Sequence, residues 1–214
     1  MNEDGYFDER VAARYDESGA EMFDPDVVDP VVDFLAGLAG SGRALELGIG
    51  TGRIALPLAR RGVAVHGIEL SNAMVARLRA KPGGDEIGVT IGDFSTATVE
   101  GMFSVAYVVF NTIGNLTTQA AQVACFRNVA GHLEPGGCFV VELLVPELQR
   151  LPPGETLRVF HASPTHWAST SSTWPTRRSP RITSSSSTGT SSFSRCRSAM
   201  RGRQSSTSWQ SSEG

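Results

Sequence analysis

The chain has 214 residues, of which 40% are hydrophobic, and a formal net charge of −3. This composition is sufficient for one ordinary domain with a packed core. The acidic amino terminus predicts no secretory signal, and no apolar run approaches the ~20 residues of a membrane span. The three cysteines, Cys125, Cys138 and Cys196, lack metal-ligand or disulfide spacing, so we expect a cytoplasmic protein without a metal site.

The charge is unevenly distributed along the chain. Residues 1–167 carry 12 Lys and Arg against 21 Asp and Glu, whereas residues 168–214 carry 7 against 1. An acidic body disfavours nucleic acid as the main partner. A small-molecule partner is therefore expected, with no membrane association.

Helical and strand patterns alternate over the first two thirds of the chain. After a polar, partly helical lead-in at 6–23, Asp24 and Pro25 start the first long helix. Apolar segments predict strands at about 43–47, 63–68, 87–91, 103–110 and 138–145. Helices are predicted at about 25–39, 52–61, 72–80 and 118–133. Alternation of this kind predicts an α/β fold, a Rossmann-like, doubly wound and mainly parallel sheet with helices on both faces.

The most informative motif follows the first strand. The run 46–52 reads ELGIGTG and places three alternate glycines between a strand and a helix. A glycine turn at a helix amino terminus lets a ligand approach the backbone. Glu69 ends the second strand, at a distance in sequence that suits a carboxylate bonded to a ribose. The sequence therefore predicts an adenosine-containing cofactor.

Further polar and aromatic residues follow the third and fourth strands. Asp93 and Phe94 end the third, and the segment 110–112 ends the fourth. Parallel strands place their carboxyl ends at one edge of the sheet, where ligands bind. An acid beside an aromatic ring suits adenine, with the carboxylate bonding the exocyclic amine.

This ordered set of motifs resembles the class I S-adenosylmethionine-dependent methyltransferases. The resemblance rests on ELGIGTG, Glu69, GDF at 92–94, the strand with FNTIGNL at 103–116, and HLEPGG at 132–137. It covers roughly residues 6–150 and is greatest to small-molecule methyltransferases with a helical amino-terminal lid. One departure is Ser104, where many relatives have an acid.

The resemblance implies a cofactor, S-adenosylmethionine, and a set of residues that bind it. The implied contacts are Tyr15, Glu46, Gly48, Gly50, Gly52, Glu69, Leu70, Met74, Asp93, Phe94, Phe110 and Asn111. In this assignment the glycines line the methionine and ribose portion, with Glu46 near the amino group. Glu69 holds the ribose hydroxyls, and Met74, Asp93 and Phe94 flank the adenine. Phe110, Asn111 and the lid residue Tyr15 border the methionine and methyl-transfer end.

No residue is assigned as a catalytic acid or base, because a sulfonium methyl is already activated. Tyr15, Asn111, His161 and His166 are candidates for positioning the acceptor, and a base is required only if the acceptor must lose a proton. His66 and His132 are expected to be structural, the first within a strand and the second at a helix end.

Two alternatives remain open at this stage. A nicotinamide dinucleotide fits the glycines if the pattern starts at Gly50, although a catalytic Tyr-x-x-x-Lys motif is missing. The second alternative is a protein that binds the cofactor but is catalytically impaired. It is motivated by residues 168–214, of which 24 of 47 are Ser or Thr and none is Leu, Val or Asp.

The unusual tail also decides the predicted domain organisation. We expect a helical lid at 1–40, a cofactor domain at 41–150, the start of a substrate region at 151–167, and a disordered tail at 168–214. A shifted reading frame near Trp167 is one hypothesis for this composition, and a genuine low-complexity segment is another. If the reading frame shifts, we expect the sheet to lack its carboxyl-terminal antiparallel strands, and an exposed edge strand then favours homodimerisation.

Overall fold

The computed structural model describes residues 6–143 and the backbone of four later strands, Leu157–Ala162, His166–Ser171, Arg181–Ser186 and Ser194–Arg197. These described residues belong to two compact units. The first contains residues 6–113 and 119–143, and the second contains 114–118 and the four later strands. Each unit is described by itself.

The first unit contains a five-stranded parallel sheet. Its strands are β1 Arg43–Leu47, β2 Ala64–Glu69, β3 Gly88–Ile91, β4 Phe103–Val108 and β5 Leu133–Val141. Their order in the sheet is β3-β2-β1-β4-β5, and every pair is parallel. Strand order reverses between β1 and β4, and right-handed crossovers then place helices on opposite faces. The Rossmann-like α/β fold expected from the sequence is confirmed.

The described helices are α1 Glu9–Ala12, α2 Tyr15–Ser18, α3 Pro25–Ala39, α4 Ala55–Arg60, α5 Asn72–Arg79 and α6 Gln119–His132, with short 3-10 turns at Ala20–Phe23, Gly84–Glu86 and Thr112–Asn115. Two of the longer helices, α3 and α5, begin directly after a capping side chain. The Asp24 side chain accepts from the Asp26 N–H at 2.9 Å, and Ser71 Oγ accepts from the Met74 N–H at 3.1 Å. Both are N-cap bonds that satisfy an otherwise unpaired donor.

The core of this unit lies between α3, α4 and the centre of the sheet. Val32 and Leu35 of α3 are fully buried and pack in one cluster with Val105 and Tyr107 of β4. α3 is therefore part of the core, so within the predicted lid of 1–40 only the described residues 6–23 lie outside it. The domain boundaries themselves stay a prediction.

Among the predicted starts of elements, those of α4 and β5 differ most from the structure. α4 begins at Ala55 rather than 52, since Gly52 has a φ of +83° and does not adopt helical geometry. β5 begins at Leu133, which pairs with Phe103, and an irregularity in the register follows before Val105 pairs with Cys138. The residues 134–137, which lie between the predicted helix and the predicted strand, therefore form an interruption within β5.

The four strands of the second unit form an antiparallel sheet. They are β6 Leu157–Ala162, β7 His166–Ser171, β8 Arg181–Ser186 and β9 Ser194–Arg197, paired in that order. The structure differs here from the expected disordered tail at 168–214, since backbone pairing requires no apolar side chains. The rest of that tail lies outside the described residues.

Candidate functional site

The glycine-rich turn connects β1 to α4. Gly48, Gly50 and Gly52 have φ angles of +69°, +56° and +83°, a region that glycine enters without steric cost. A Cβ on Gly48 would lie 2.5 Å from the methyl carbon of Thr112, which follows β4. The turn therefore requires glycine and keeps its backbone close to the neighbouring strand end.

Glu69 ends β2, and its carboxylate reaches back to this turn. Oε2 accepts from the Gly50 N–H at 2.8 Å. Oε1 accepts from the N–H groups of Leu70 and Ser71, both at 3.0 Å. Burial raises the pKa of Glu69, and the three N–H donors partly oppose this shift. Because a carboxylate offers about four acceptor positions, Glu69 has capacity to accept a further hydrogen bond.

Glu46, in β1, is a second buried carboxyl group at the same edge. Its exposed fraction is 3%, and its Oε2 accepts from the Tyr107 hydroxyl at 2.9 Å. Burial raises the pKa of Glu46 to about 8, although the Tyr107 bond and the charge of Arg53 both lower it. Glu46 is therefore mainly protonated at neutral pH, whereas the predicted contact with a cofactor amino group requires the ionised form.

The turn after β3 supplies an apolar wall and an exposed acid. Asp93 Oδ1 accepts from the Ser95 N–H at 2.8 Å, and Asn128 Nδ2 donates to the Phe94 carbonyl at 3.1 Å. Phe94 is buried, with one ring carbon 3.9 Å from the position of a Cβ on Gly48. These bonds hold the Phe94 ring beside the glycine turn.

The amino-terminal segment packs on α5 through apolar contacts. Ala12 and Met74 are buried together, and Phe7 and Tyr15 pack against them. The Met74 Cε lies 3.4 Å from the position of a Cβ on Gly50. Burial raises the pKa of Tyr15, so its phenol stays neutral at physiological pH.

Polar contacts attach the same segment to the glycine turn. Asp16 accepts from the Thr51 hydroxyl at 2.6 Å and forms an ion pair with Lys81 at 2.5 Å. Lys81 also donates to the Thr51 carbonyl at 2.8 Å, and its Nζ lies 5.3 Å from the centre of the Phe23 ring. We call Asp16, Thr51 and Lys81 the lid clasp.

The segment after β4 has unusual backbone geometry. Phe110 and Asn111 have φ angles of +56° and +58°, which cost of order 1–3 kcal/mol each for residues other than glycine. The Phe110 N–H donates to Glu142 Oε2 at 2.9 Å. The Phe110 ring lies 4.9 Å from the Arg53 guanidinium carbon. This strained turn is thus contacted by a residue that follows β5 and by one that precedes α4.

Most of the predicted site residues thereby lie together at the carboxyl edge of the sheet. We call this part of the molecule the crevice. Direct contacts or proximity connect Tyr15, Glu46, Gly48, Gly50, Gly52, Glu69, Met74, Phe94 and Phe110, with Asp93 and Asn111 adjacent in the chain. Leu70 contributes its N–H to Glu69, while 49% of the residue is exposed. His161 and His166 belong to the antiparallel unit, so a positioning role for either stays a prediction.

The two remaining histidines make structural hydrogen bonds. His66 Nε2 lies 2.9 Å from Thr90 Oγ1. His132 Nε2 accepts from the Val99 N–H at 2.9 Å, and its Nδ1 bonds the Asn128 carbonyl at 2.7 Å. These two bonds attach the end of α6 to the segment before β4.

Sequence reasoning missed several side chains around the crevice. They are Asp16, Arg53, Lys81, Tyr107 and Glu142. Tyr107 lies within an apolar strand, where the sequence gives no sign of a polar partner, and Arg53 belongs to none of the predicted motifs. The adjacency of Arg53 to the glycines was the one available signal.

Metal ligation and membrane insertion are two further properties of the described part of the chain. No group of three or more His, Cys, Asp or Glu residues there could hold a metal ion. None of the helices in that part is long and apolar enough to cross a bilayer.

Comparison with known proteins identifies the family. Residues 44–137 match the family model described as a methyltransferase domain. The structure of the CcbJ methyltransferase from Streptomyces caelestis is 33% identical, with a TM-score of 0.75, covering 94% of this chain and 83% of that one. The chain belongs to the class I S-adenosylmethionine-dependent methyltransferases.

Two further relatives agree with this assignment. The cypemycin N-terminal methyltransferase of a Streptomyces species is 30% identical over 144 residues, 64% of this chain and 59% of that protein. The methyltransferase thus spans about three fifths of that relative's length. The glycopeptide N-methyltransferase MtfA, complexed with S-adenosylhomocysteine, is 25% identical with a TM-score of 0.52, covering 71% of each chain.

These findings decide between the cofactors considered from the sequence. S-adenosylmethionine is the cofactor of the family to which the chain belongs, and this excludes the nicotinamide alternative. The missing Tyr-x-x-x-Lys motif agrees with this outcome.

Proposed function

We propose that this methyltransferase transfers a methyl group from S-adenosylmethionine to a nitrogen atom of a small-molecule acceptor. In this proposal the cofactor lies along the carboxyl edge of β1 to β4. Its adenine lies against Phe94 and Met74, its ribose at Glu69, and its methionine portion between Glu46, Tyr15 and Phe110.

One observation carries the cofactor placement, namely the convergence of the glycine turn and the carboxylate of Glu69. The hydrogen bond from Gly50 to Glu69 orients a carboxylate that still has acceptor capacity. A ribose diol requires such an acceptor, and the Phe94 wall provides an apolar surface for a purine. The chemistry of these residues fits the cofactor.

The acceptor assignment rests on the relatives and on the demands of the reaction. An N-terminal methyltransferase and a glycopeptide N-methyltransferase both act on nitrogen according to their names. The cofactor supplies an electrophilic methyl group, so the chain's residues have to align the acceptor, and such positioning supplies about 7–11 kcal/mol. Because the Tyr15 phenol stays neutral, we assign it an orienting role.

The test is a transfer assay on the full chain with methyl-labelled S-adenosylmethionine. Small amines, including amino sugars and short peptides with free amino termini, are compared with matched alcohols and carboxylic acids. We expect S-adenosylhomocysteine and an N-methylated product with at least one amine. Glu69→Ala should abolish turnover, whereas Glu86→Gln, at an exposed position, should not.

Other outcomes of this assay have distinct meanings. Methylation of alcohols or acids alone would overturn the nitrogen assignment and leave the cofactor site intact. Cofactor binding without transfer to any acceptor would favour the second candidate, a catalytically impaired methyltransferase, for which the Ser- and Thr-rich composition after residue 167 is the supporting observation.

A further inference from the structure

Arg53 connects two parts of the crevice that the predicted site residues do not connect. Its Nη1 donates to the Met22 carbonyl at 3.2 Å, in the segment that precedes α3. Its guanidinium carbon lies 4.9 Å from the centre of the Phe110 ring, in the strained turn after β4. One side chain therefore contacts the lid on one side and, on the other, the strained turn at Phe110 and Asn111, which we call the methyl-transfer turn.

The charge of Arg53 also acts on the groups that line the crevice. It lowers the pKa values of Glu46 and Tyr15, although burial of each group is the larger effect. None of the ion pairs found among residues 6–143 includes Arg53. Because Glu46 is mainly protonated at neutral pH, it does not neutralise this guanidinium.

Other cations of the first unit are paired, distant from the crevice or exposed. Lys81 pairs with Asp16 in the lid clasp. Arg43 lies over the Phe103 ring at 4.6 Å, at the opposite end of β1 and β4. Arg14, beside Tyr15, is exposed. Arg53 is thus a cation at the crevice that has no carboxylate partner among residues 6–143.

The methionine portion of the cofactor carries an α-carboxylate, which loses hydration on binding and then requires a strong donor. A guanidinium presents five N–H donors in a planar fork that matches a carboxylate. We propose that Arg53 binds this carboxylate and, through Met22 and Phe110, holds the lid and the methyl-transfer turn around it. This inference rests on the proposed placement of the cofactor.

The experiment is a thermodynamic cycle in which either the Arg53 side chain or the α-carboxylate of the cofactor is removed. Binding of S-adenosylmethionine and of its decarboxylated form is measured by calorimetry for the wild-type chain, Arg53→Gln and Arg53→Lys. We expect the wild type to bind the decarboxylated form about 10- to 100-fold more weakly, the range of a charge-assisted hydrogen bond. Arg53→Gln should lose that discrimination and bind both forms with similar, weak affinity.

The variants differ in what they control for. Arg53→Lys keeps the charge but loses the fork, so it should retain part of the discrimination and serves if the glutamine variant does not fold. Arg60→Gln, an exposed position on α4, and Arg14→Gln, beside Tyr15, should both bind like the wild type.

Several results would overturn the assignment. One is an Arg53→Gln variant that still discriminates between the two cofactor forms, including one that binds both forms more weakly by the same factor. The others are a wild type that does not discriminate and an Arg14→Gln variant that loses discrimination. A failure of the underlying site is recognised separately, because S-adenosylmethionine binding would then be insensitive to Glu69→Ala.

Discussion

The β2 side of the crevice, formed by Glu69, Ser71 and Met74, and the β4 side, formed by Glu46, Tyr107 and Phe110, hold their polar groups by different means. On the β2 side, a carboxylate is bonded by N–H groups that follow it directly or lie in the adjacent glycine turn. On the β4 side, a buried carboxyl group depends on one distant hydroxyl, and the backbone is strained. The first arrangement surrounds a carboxyl group with N–H donors that favour its ionised form and oppose the effect of burial on its pKa, whereas in the second, burial raises the pKa of the carboxyl group to about 8.

The strongest test of this contrast is Glu69→Ala, which removes the acceptor on the β2 side. Loss of a ribose hydrogen bond to a charged group, and of the bond that orients the Gly50 N–H, should weaken S-adenosylmethionine binding roughly 1,000-fold. Calorimetry measures the affinity, with Glu86→Gln as the matched exposed control. An affinity within a few-fold of the wild type would show that the two sides do not differ as described.

The β4 side is tested by Glu46→Gln and the pH dependence of unfolding. The pKa of Glu46 lies near 8 in the folded chain and near its usual 4.5 in the unfolded chain. Between these values the folded state binds the additional proton, so this group's contribution to stability is complete at low pH and is lost as pH rises. Over pH 5 to 8 the wild type should lose about 2–4 kcal/mol relative to the variant.

Urea denaturation at several pH values measures this difference. Comparison with Glu46→Gln isolates the effect of one group, since Glu69 also has a raised pKa and contributes to both proteins. A constant difference between wild type and variant across the range would mean that Glu46 is already ionised, and that the two carboxylates behave alike.

A smaller effect is expected from Ser71→Ala, which tests how the β2 side is positioned. Ser71 is fully buried, and its hydroxyl accepts from the Met74 N–H and donates to the Phe7 carbonyl at 2.5 Å. Loss of this cap should lower the free energy of unfolding by about 1–2 kcal/mol. Ser41→Ala, at an exposed position, is the control for urea denaturation. Equal stability of both variants would contradict the structural role of the cap.

The same contrast explains how much of the molecule is predictable from the sequence. The five strands, the Asp24 and Ser71 caps and the position of Glu69 at the end of β2 follow from local patterns, because each of these signals lies within a few consecutive residues. Tyr107 bonding Glu46, and Arg53 reaching Met22, join residues 61 and 31 positions apart. No periodicity or motif records such pairs, since they depend on which strands become neighbours.

The lid clasp gives the smallest expected effect and asks whether the β4 side depends on lid closure. Asp16→Asn can keep the hydrogen bond from Thr51 but removes the ion pair with Lys81, the only lysine of the chain. Both side chains are partly exposed, at 38% and 27%, so solvent reduces the contribution to about 0.5 kcal/mol. Rapid-filtration measurements of labelled S-adenosylmethionine should therefore show dissociation about 2-fold faster at low salt. The difference should disappear in high salt, where the ion pair is screened, while Glu17→Gln, an exposed neighbour on α2, should behave like the wild type.

Because the clasp attaches α2 to the glycine turn, a dissociation rate unchanged by Asp16→Asn would mean that apolar packing of Phe7 and Tyr15 on α5 holds the lid by itself. Closure would then be a property of the β2 side alone.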